Sequence, residues 1–247
     1  MSRGVRRWAV VPAAGRGERY GGSRPKQYVP VLGRPVLSWS LAALLAEPTI
    51  HGIVVALAKG DRRFGRLPES RDPRVRSCAG GARRELSVAS ALAALEGEAR
   101  DEDWVLVHDA ARPCLHRADL RALIAAASDD PVGALLALPV SDTLKAGDPD
   151  GCSSHTVPRE GLWRALTPQM IRYGVLRRAL ALGIERGRTI TDEASAVEAL
   201  GMRPRLVAGR ADNIKVTMPG DRAMAAAILA ARGGSSAHRP RLRRPRI

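Results

Sequence analysis

The chain is poor in aromatic residues, which make up 3% of its 247 positions. Any core must therefore be aliphatic, because alanine, valine and leucine dominate the 45% of residues that are hydrophobic. Cysteine is also scarce. The three cysteines, Cys78, Cys114 and Cys152, stand 36 and 38 residues apart and form no CxxC pair. This spacing indicates neither a disulfide framework nor a zinc site.

Long apolar runs are missing as well. The longest, near 132–140 and 223–231, are too short to span a bilayer. The N-terminus carries charge but has no apolar stretch of signal-peptide length behind it. We therefore expect a soluble, cytoplasmic protein without a membrane partner.

Acidic residues are outnumbered by basic ones, and a formal net charge of +15 is typical of proteins that bind nucleic acid. Five of the excess charges are arginines within residues 233–247, a stretch of proline, glycine, serine and arginine without an acid. Such a composition cannot bury enough surface to offset chain entropy, so we expect a disordered basic tail. The alternative interpretation is a nucleic-acid-binding protein that acts through this tail; we do not expect nucleic acid as the main partner.

Apolar strand-like runs alternate with helical patterns along the first 140 residues. The runs lie at 8–11, 52–58, 75–78, 104–108 and 133–140, and the helical segments between them lie near 36–46, 85–96 and 117–128. This alternation predicts an α/β fold: a Rossmann-like, mostly parallel twisted sheet with helices on both faces. Further helices are expected over about 171–186 and from Pro219 to about Arg232, which gives one domain over residues 1–232.

Residues 141–160 break this alternation. A DPDG turn at 148–151 lies between two polar segments that are too short to have a core of their own. We expect a β-hairpin arm that leaves the main domain. Because an isolated hairpin is marginal in water, the arm should need a partner surface.

A glycine-rich loop follows the first strand-like run, and residues 12–27 read PAAGRGERYGGSRPKQ. Glycine lets backbone N–H groups approach an anion closely, and basic side chains supply charge, so the loop predicts phosphate binding. Two common phosphate motifs are excluded by spelling. Tyr20 stands where a dinucleotide fingerprint needs its third glycine, and the sequence has no GxxxxGK[ST]. The basic side chains of the loop are Arg16, Arg19, Arg24 and Lys26.

Seven segments, in one order across about residues 8–231, resemble the 2-C-methyl-D-erythritol 4-phosphate cytidylyltransferases, a family of nucleotidyltransferases. They are the loop with its PKQ triplet, GGARRELSV at 80–88, VLVHDAARP at 105–113, PVSDTLK at 139–145, TVPREGLWRALTPQ at 156–169, TITDEAS at 189–195 and GRADNIKVT at 209–217. The resemblance implies transfer of CMP from CTP to the polyol phosphate, with release of pyrophosphate, in non-mevalonate isoprenoid biosynthesis. It also implies Mg²⁺ as cofactor and a homodimer whose arms bring residues to the neighbouring active site.

The matched motifs imply the site residues. Cations that stabilise the crowded α-phosphorus are Arg19, Lys26 and Lys215, the last expected on a strand at NIKVT, with Arg16 as a further candidate. Residues that bind the nucleotide are Ala13, Ala14, Gly15, Gly17, Gly80, Gly81 and Ser87. Residues that bind the polyol phosphate are Asp109, Arg112, Thr143, Arg159, Thr167 and Thr191. Mg²⁺ would be held mainly by the CTP phosphates, and its candidate protein ligands are Asp109 and Asp212.

Several alternatives stay open at the level of sequence. Ala82 stands where the family can carry an acidic residue; a backbone contact there would leave cytosine preference intact, whereas a required carboxylate would not. His108 beside Asp109 could mark a metal phosphohydrolase, but the pair lacks the remaining ligands and a structural histidine is favoured. Turn or cap chemistry would also explain the threonines. A ribitol 5-phosphate cytidylyltransferase is the alternative function, since it shares the loop and the mechanism.

Overall fold

The computed structural model describes residues 4–15, 20 and 25–233. The predicted basic tail therefore lies outside the described residues except for Gly233. The strands, in chain order, are β1 (Arg7–Ala13), β2 (Pro30–Val31), β3 (Arg34–Pro35), β4 (Ile50–Leu57), β5 (Val75–Ala79), β6 (Trp104–Val107), β7 (Gly133–Pro139), β8 (Leu144–Gly147), β9 (Ser153–Val157), β10 (Trp163–Arg172) and β11 (Arg205–Ala208). The helices are α1 (Val36–Leu45), α2 (Arg84–Ala93), α3 (Arg117–Ser128), α4 (Tyr173–Glu185), α5 (Glu193–Glu198) and α6 (Pro219–Gly233). Within the described part of the chain, no helix is long and apolar enough to cross a membrane.

A seven-stranded sheet forms the centre of the fold, in the order β11-β7-β10-β6-β1-β4-β5. Strand β10 runs antiparallel to β6 and β7, and the other neighbours in this sheet are parallel. The predicted α/β fold with a mostly parallel sheet is confirmed. All five strand-like runs of the first 140 residues are strands of this sheet.

The hydrophobic core lies in two layers, one on each face of the sheet. Side chains of a strand alternate between faces, and β1 shows this directly. Its Ala9 and Val11 pack in the layer that contains Leu41 of α1 and the leucines of α3. Its Val10 packs in the other layer, with Leu92 of α2 and the leucines of α4. A strand buried on both faces reads as a continuous apolar run, which is why β1 was detectable from sequence.

Two strands of the central sheet, β10 and β11, were not expected. Strand β10 contains Pro168, and proline removes a ladder hydrogen bond, so the segment does not read as a central strand. The pairing of β10 with β7 shifts register between Ala165 and Gln169, which places Pro168 at the irregularity. Strand β11 is a four-residue edge strand that is largely exposed, so it lacks the apolar run of the buried strands.

The strand expected at NIKVT is wrong. Residues 213–217 have no strand structure and cross the carboxyl edge of the sheet, where the Val216 N–H donates to the carbonyl of Ala111 at 2.8 Å. The apolar Ile214 and Val216 pack in a separate cluster with residues of α6 instead of extending the sheet. Pairing with one backbone group holds this segment in place without making it a strand.

The predicted hairpin arm is confirmed. Strands β8 and β9 pair antiparallel with each other in a separate two-stranded sheet, and most of their residues are exposed. At the base of the arm, Leu162 and Trp163 are also exposed to solvent. The arm therefore packs little apolar surface within one copy of the chain.

Candidate active site

A cavity lies at the carboxyl ends of β1 and β6. The chain runs from β1 to β4 and β5 on one side, and then returns through α2 to β6 on the other side of β1. A crevice at such a reversal of strand order is the usual ligand site of an open parallel sheet. The structure brings eight residues of the sequence prediction into its lining: Ala13, Ala14, Gly15, Lys26, Gly81, Ser87, Asp109 and Lys215.

The turn after β5 packs against the loop after β1. A Cβ atom on Gly80 would lie 2.6 Å from the Cβ of Ala14, so glycine is required for this approach. The Gly81 N–H donates to Oγ of Ser87 at 3.1 Å, and the buried Ser87 hydroxyl lies 3.1 Å from the carbonyl of Arg83. Ser87 therefore organises the turn itself. Ala82 lines the cavity between these residues.

Lys26 begins a short 3₁₀ helix, Lys26–Tyr28, that lines the cavity from the other side. The buried side chain of Gln27 anchors this helix, because its amide donates to the carbonyl of Ala13 at 2.7 Å. Gln27 belongs to the PKQ triplet, but its role was not predicted. The predicted Gly17 and Arg19, and the candidate Arg16, lie outside the described residues.

Asp109 follows β6 and contacts three cations. Its Oδ2 lies 2.8 Å from Nζ of Lys215 and 3.5 Å from Nε of Arg112, and its Oδ1 lies 3.2 Å from Nε of Arg84. Burial alone would raise the pKa of Asp109, but Arg84, Lys215 and Arg112 outweigh it and hold that pKa well below its usual range. The carboxylate is therefore ionised and connects three basic side chains.

Arg112 is largely buried, with a side chain that is 11% exposed. Besides Asp109, its guanidinium contacts the carbonyl of Asn213, to which it donates at 2.7 Å. Burial lowers the pKa of Arg112 below its usual value, against the opposing effect of Asp109. Asn213 in turn donates its side-chain amide to the carbonyl of Thr167 at 2.9 Å. These bonds fix the segment that carries Lys215.

Two charged residues of the site, Arg84 and Glu193, were not predicted. The guanidinium of Arg84 donates to both oxygens of Glu193, at 2.7 and 3.0 Å, while its Nε reaches Asp109. Burial lowers the pKa of Arg84, but Glu193 and Asp109 overcome that effect and raise it. Both residues lie inside matched motifs, GGARRELSV and TITDEAS, so the motifs could have identified them as site residues. Their pairing with each other across 109 positions could not be predicted from the motifs.

His108 has the structural role that the sequence favoured. It is fully buried, with Nδ1 3.0 Å from Oγ1 of Thr167 and Nε2 3.1 Å from the carbonyl of Arg112. The Asp109 N–H donates to the same Thr167 oxygen at 3.0 Å. Since a carbonyl only accepts, Nε2 of His108 carries the proton and Nδ1 accepts from the Thr167 hydroxyl. Thr167 is thus buried beneath the charged cluster.

Other predicted residues lie away from this cavity. Thr143 and Arg159 are exposed on the arm, where the Arg159 guanidinium donates to the carbonyl of Ser141. Thr191 is exposed just before α5, and its hydroxyl donates to Oγ of Ser195 at 3.3 Å. Asp212 pairs with Arg232 at 2.6 Å. These four residues are not in the lining of the cavity formed by the described residues.

The residues that line the cavity suit a Mg²⁺ ion that is bound mainly through phosphate oxygens of a ligand. Among residues 4–15, 20 and 25–233, no group of three or more His, Cys, Asp or Glu side chains could hold a metal ion. Asp109 lines the cavity and offers a carboxylate there. Mg²⁺ usually takes one or two carboxylates and completes its shell with phosphate oxygens and water. The donor set thus suits Mg²⁺ held mainly by phosphate oxygens, because Asp109 already faces Arg84, Lys215 and Arg112.

Glycine turns and clustered cations at the switch point of a mostly parallel sheet define a nucleotide-binding α/β enzyme. The family model IspD, 2-C-methyl-D-erythritol 4-phosphate cytidylyltransferase, matches residues 8–231. The chain belongs to this family.

Relatives of the chain match it along almost their whole length. The chain is 51% identical over 231 residues to the 2-C-methyl-D-erythritol 4-phosphate cytidylyltransferase of Dechloromonas aromatica (strain RCB), covering 92% of this chain and 99% of the relative. It is 53% identical over 230 residues to the enzyme of the same name from Acidithiobacillus ferrooxidans (strain ATCC 53993 / BNL-5-31), covering 91% and 97%. A crystal structure of a 4-diphosphocytidyl-2C-methyl-D-erythritol synthase superposes with a TM-score of 0.80 at 39% identity, covering 92% of this chain and all of that one.

The buried His108 predicts a specific pH dependence of stability. Burial lowers the pKa of His108 to about 4 from an ordinary value of 6.5. Between these values the unfolded chain binds a proton that the folded chain does not, so stability falls as the pH drops through this window. From pH 7 to pH 5 this effect amounts to about 2 kcal/mol.

The measurement is urea unfolding of the wild type and of His108→Asn at pH 5, 6 and 7. Asparagine keeps an acceptor for Thr167 and removes the titration, so the variant should be less stable at pH 7 but should lose less stability toward pH 5. Because other groups titrate in both proteins, the difference in slope reports His108. Parallel curves for the two proteins would contradict a buried, neutral His108.

Proposed function

We propose that this chain transfers CMP from CTP to 2-C-methyl-D-erythritol 4-phosphate, giving 4-diphosphocytidyl-2-C-methyl-D-erythritol and pyrophosphate. This is a step of non-mevalonate isoprenoid biosynthesis. The observation that carries the proposal is the cluster of Lys26, Lys215 and Arg84 around one cavity, in a chain of the cytidylyltransferase family. The relatives at 51 and 53% identity are cytidylyltransferases for the methylerythritol substrate, so their names favour that polyol over ribitol 5-phosphate.

The reaction needs charge more than acid–base chemistry. An oxygen of the polyol phosphate attacks the α-phosphorus of CTP and forms the new P–O bond. The bond from the α-phosphorus to the bridging oxygen breaks, and pyrophosphate leaves with the electron pair. The attacking oxygen is already ionised, so a general base is unnecessary. Each pair of like unit charges about 4 Å apart costs about 4 kcal/mol at an effective dielectric near 20, and cations must offset this repulsion.

Lys26 and Lys215 are the cations proposed for this task among the described residues. They line the cavity from different segments, the 3₁₀ helix after the glycine loop and the segment that follows β11. Arg19 joins them by its motif. Lys215 lies 2.8 Å from Asp109, and a cation that the fold holds in place costs little reorganisation during the reaction.

The remaining partners complete the proposal. Ala13 to Gly15 present backbone to the nucleotide. The main chain of the turn at Gly80 and Gly81, which packs closely against Ala14, is proposed to face the base and to exclude a purine. Mg²⁺ bound to the triphosphate would neutralise charge on its oxygens, and Asp109 is the carboxylate that we propose as its protein contact. We also propose a cytoplasmic location.

A homodimer would complete the site. Thr143 and Arg159 lie on an arm that pairs only with itself among the described residues and has exposed Leu162 and Trp163 at its base. A hairpin of this size needs further packing for stability. We assign that packing to a second copy of the chain, whose cavity would receive Thr143 and Arg159. Arg112 and Thr191 of that copy would join them around the polyol phosphate, and its buried Thr167 would support the site from beneath.

Pyrophosphate release tests the reaction itself. The purified chain with Mg²⁺ should release pyrophosphate from CTP when 2-C-methyl-D-erythritol 4-phosphate is added, and less when ribitol 5-phosphate replaces it. ATP should be a poorer donor, because the turn at Gly80 and Gly81 is proposed to exclude a purine, and UTP should be poorer because a backbone contact at Ala82 is proposed for cytosine. Folded protein without turnover would contradict the proposal, whereas equal rates with CTP and UTP would show that Ala82 costs base selectivity.

Replacement of Lys26 tests the role of the cavity cations. Lys26→Ala should lower kcat by about 100-fold or more, because a charge aimed at the transition state is removed. Its melting temperature should stay near that of the wild type, since Gln27 anchors the 3₁₀ helix. The matched control is Lys59→Ala, because Lys59 is exposed in the turn after β4 and does not line this cavity. Equal kcat in the two variants would remove Lys26 from the mechanism.

Complementation tests whether the arm acts on the partner's site. Lys26→Ala and Arg159→Ala chains carrying different tags should each be nearly inactive as homodimers. A heterodimer purified through both tags should recover about half of wild-type activity, because one of its two sites then has both residues intact. If Arg159 served its own subunit, the heterodimer would stay inactive. That result, or a monomer in light scattering, would refute the shared site.

A further inference from the structure

Arg84 connects two segments of the site. In the proposed function, one segment binds the nucleotide and the other binds the polyol phosphate. Arg84 is the first residue of α2 and follows the glycine turn of the nucleotide. Glu193 is the first residue of α5 and follows Thr191, which is assigned to the polyol phosphate. The Arg84 guanidinium donates to Oε1 and Oε2 of Glu193 at 2.7 and 3.0 Å. This two-bond contact restricts both distance and orientation, which a single ion pair does not.

Glu193 has little alternative to this contact. Its side chain is 1% exposed, so water does not solvate the carboxylate. A buried carboxylate that loses its partner must either protonate or move toward solvent. Movement toward solvent would shift the start of α5, because Glu193 is part of that helix, and protonation would remove the charge that the Arg84 guanidinium contacts.

The start of α5 is rigidly held on its other side. Oε1 of Gln169 accepts from the Ala194 N–H at 2.8 Å, and its amide nitrogen donates to Oδ2 of Asp192 at 2.9 Å. Asp192 also caps the helix, with Oδ1 accepting from the Ser195 N–H at 2.9 Å. The segment from Thr191 to Glu193 therefore lies in a defined place on the sheet, and Arg84 ties the nucleotide turn to it.

The same guanidinium also acts on the cation cluster. Nε of Arg84 forms an ion pair with Oδ1 of Asp109, while Oδ2 of Asp109 lies near Lys215 and Arg112. Without Arg84, Asp109 would share its full charge with Lys215 and Arg112 alone. Lys215 would then be held more strongly by the carboxylate and would be less available to the phosphates.

We propose that Arg84 is a positioning residue that sets the spacing between the nucleotide and the polyol phosphate through its bridge from Asp109 to Glu193. The inference rests on the proposed function. It differs from a simple structural ion pair in one respect that can be measured. Disturbing either end of the bridge should affect the use of both substrates, including the one on the far side.

The experiment compares Arg84→Lys with Arg121→Lys. Arg121 on α3 pairs with Glu47 at 3.1 Å, and that carboxylate is also buried, but neither residue lines the cavity. Lysine keeps the charge and cannot make the two-bond contact. Arg84→Lys should lower kcat by about 10- to 100-fold and raise KM for both CTP and the polyol phosphate, because small misplacements of reacting groups are costly. Arg121→Lys should leave all three constants within about twofold, because this pair lies away from the cavity.

A second variant keeps the inference testable if Arg84→Lys does not fold. Glu193→Gln removes the charge on the polyol side and should still raise KM for CTP, and its effect combined with Arg84→Lys should be less than the product of the two. The inference is overturned if Arg84→Lys matches Arg121→Lys in kcat and both KM values, or if Glu193→Gln leaves KM for CTP unchanged. A wild-type chain without turnover would instead contradict the proposed function.

Discussion

The candidate site depends on one buried carboxylate, that of Asp109. Three cations reach it from three separate parts of the chain: Arg84 from α2, Arg112 from the turn after β6, and Lys215 from the segment after β11. Burial works against the ionised form, and the three cations more than offset it. The folded chain brings these cations to Asp109 and so keeps its carboxylate ionised. The ionised carboxylate in turn holds the three segments together.

Beneath this charged cluster lies a neutral hydrogen-bonded layer. Thr167 donates to His108 and accepts from the Asp109 backbone, and His108 donates to the Arg112 carbonyl. A protonated His108 would place a further positive charge under three cations, in a place that water does not reach. Keeping the imidazole neutral lets the layer orient Asp109 and Arg112 without adding charge. The pKa lowering of His108 and that of Asp109 are thus two parts of one arrangement.

Much of this arrangement was readable from the sequence, and the limits have physical causes. Strands β1 and β6 are buried on both faces and read as apolar runs, and the loops after them carry motifs that predicted Ala13, Lys26 and Asp109. Strand β10 was not predicted, because Pro168 interrupts its pattern. The ion pair of Arg84 and Glu193 was not predicted. The two residues lie 109 positions apart, and their contact depends on how α2 and α5 pack, which cannot be inferred from the residues next to either one.

The charges of the cluster also show how the fold itself orders the cations of the proposed two-anion site. Arg84, Arg112 and Lys215 face two carboxylates, Asp109 and Glu193, so the acids hold the cations in place without neutralising them all. Lys26 adds a further positive charge at the opposite wall. Cations without the acids would repel one another and would have to be ordered by the substrates. With the acids present, the cations are ordered on folding, and the excess positive charge is left for the phosphates of the proposed substrates.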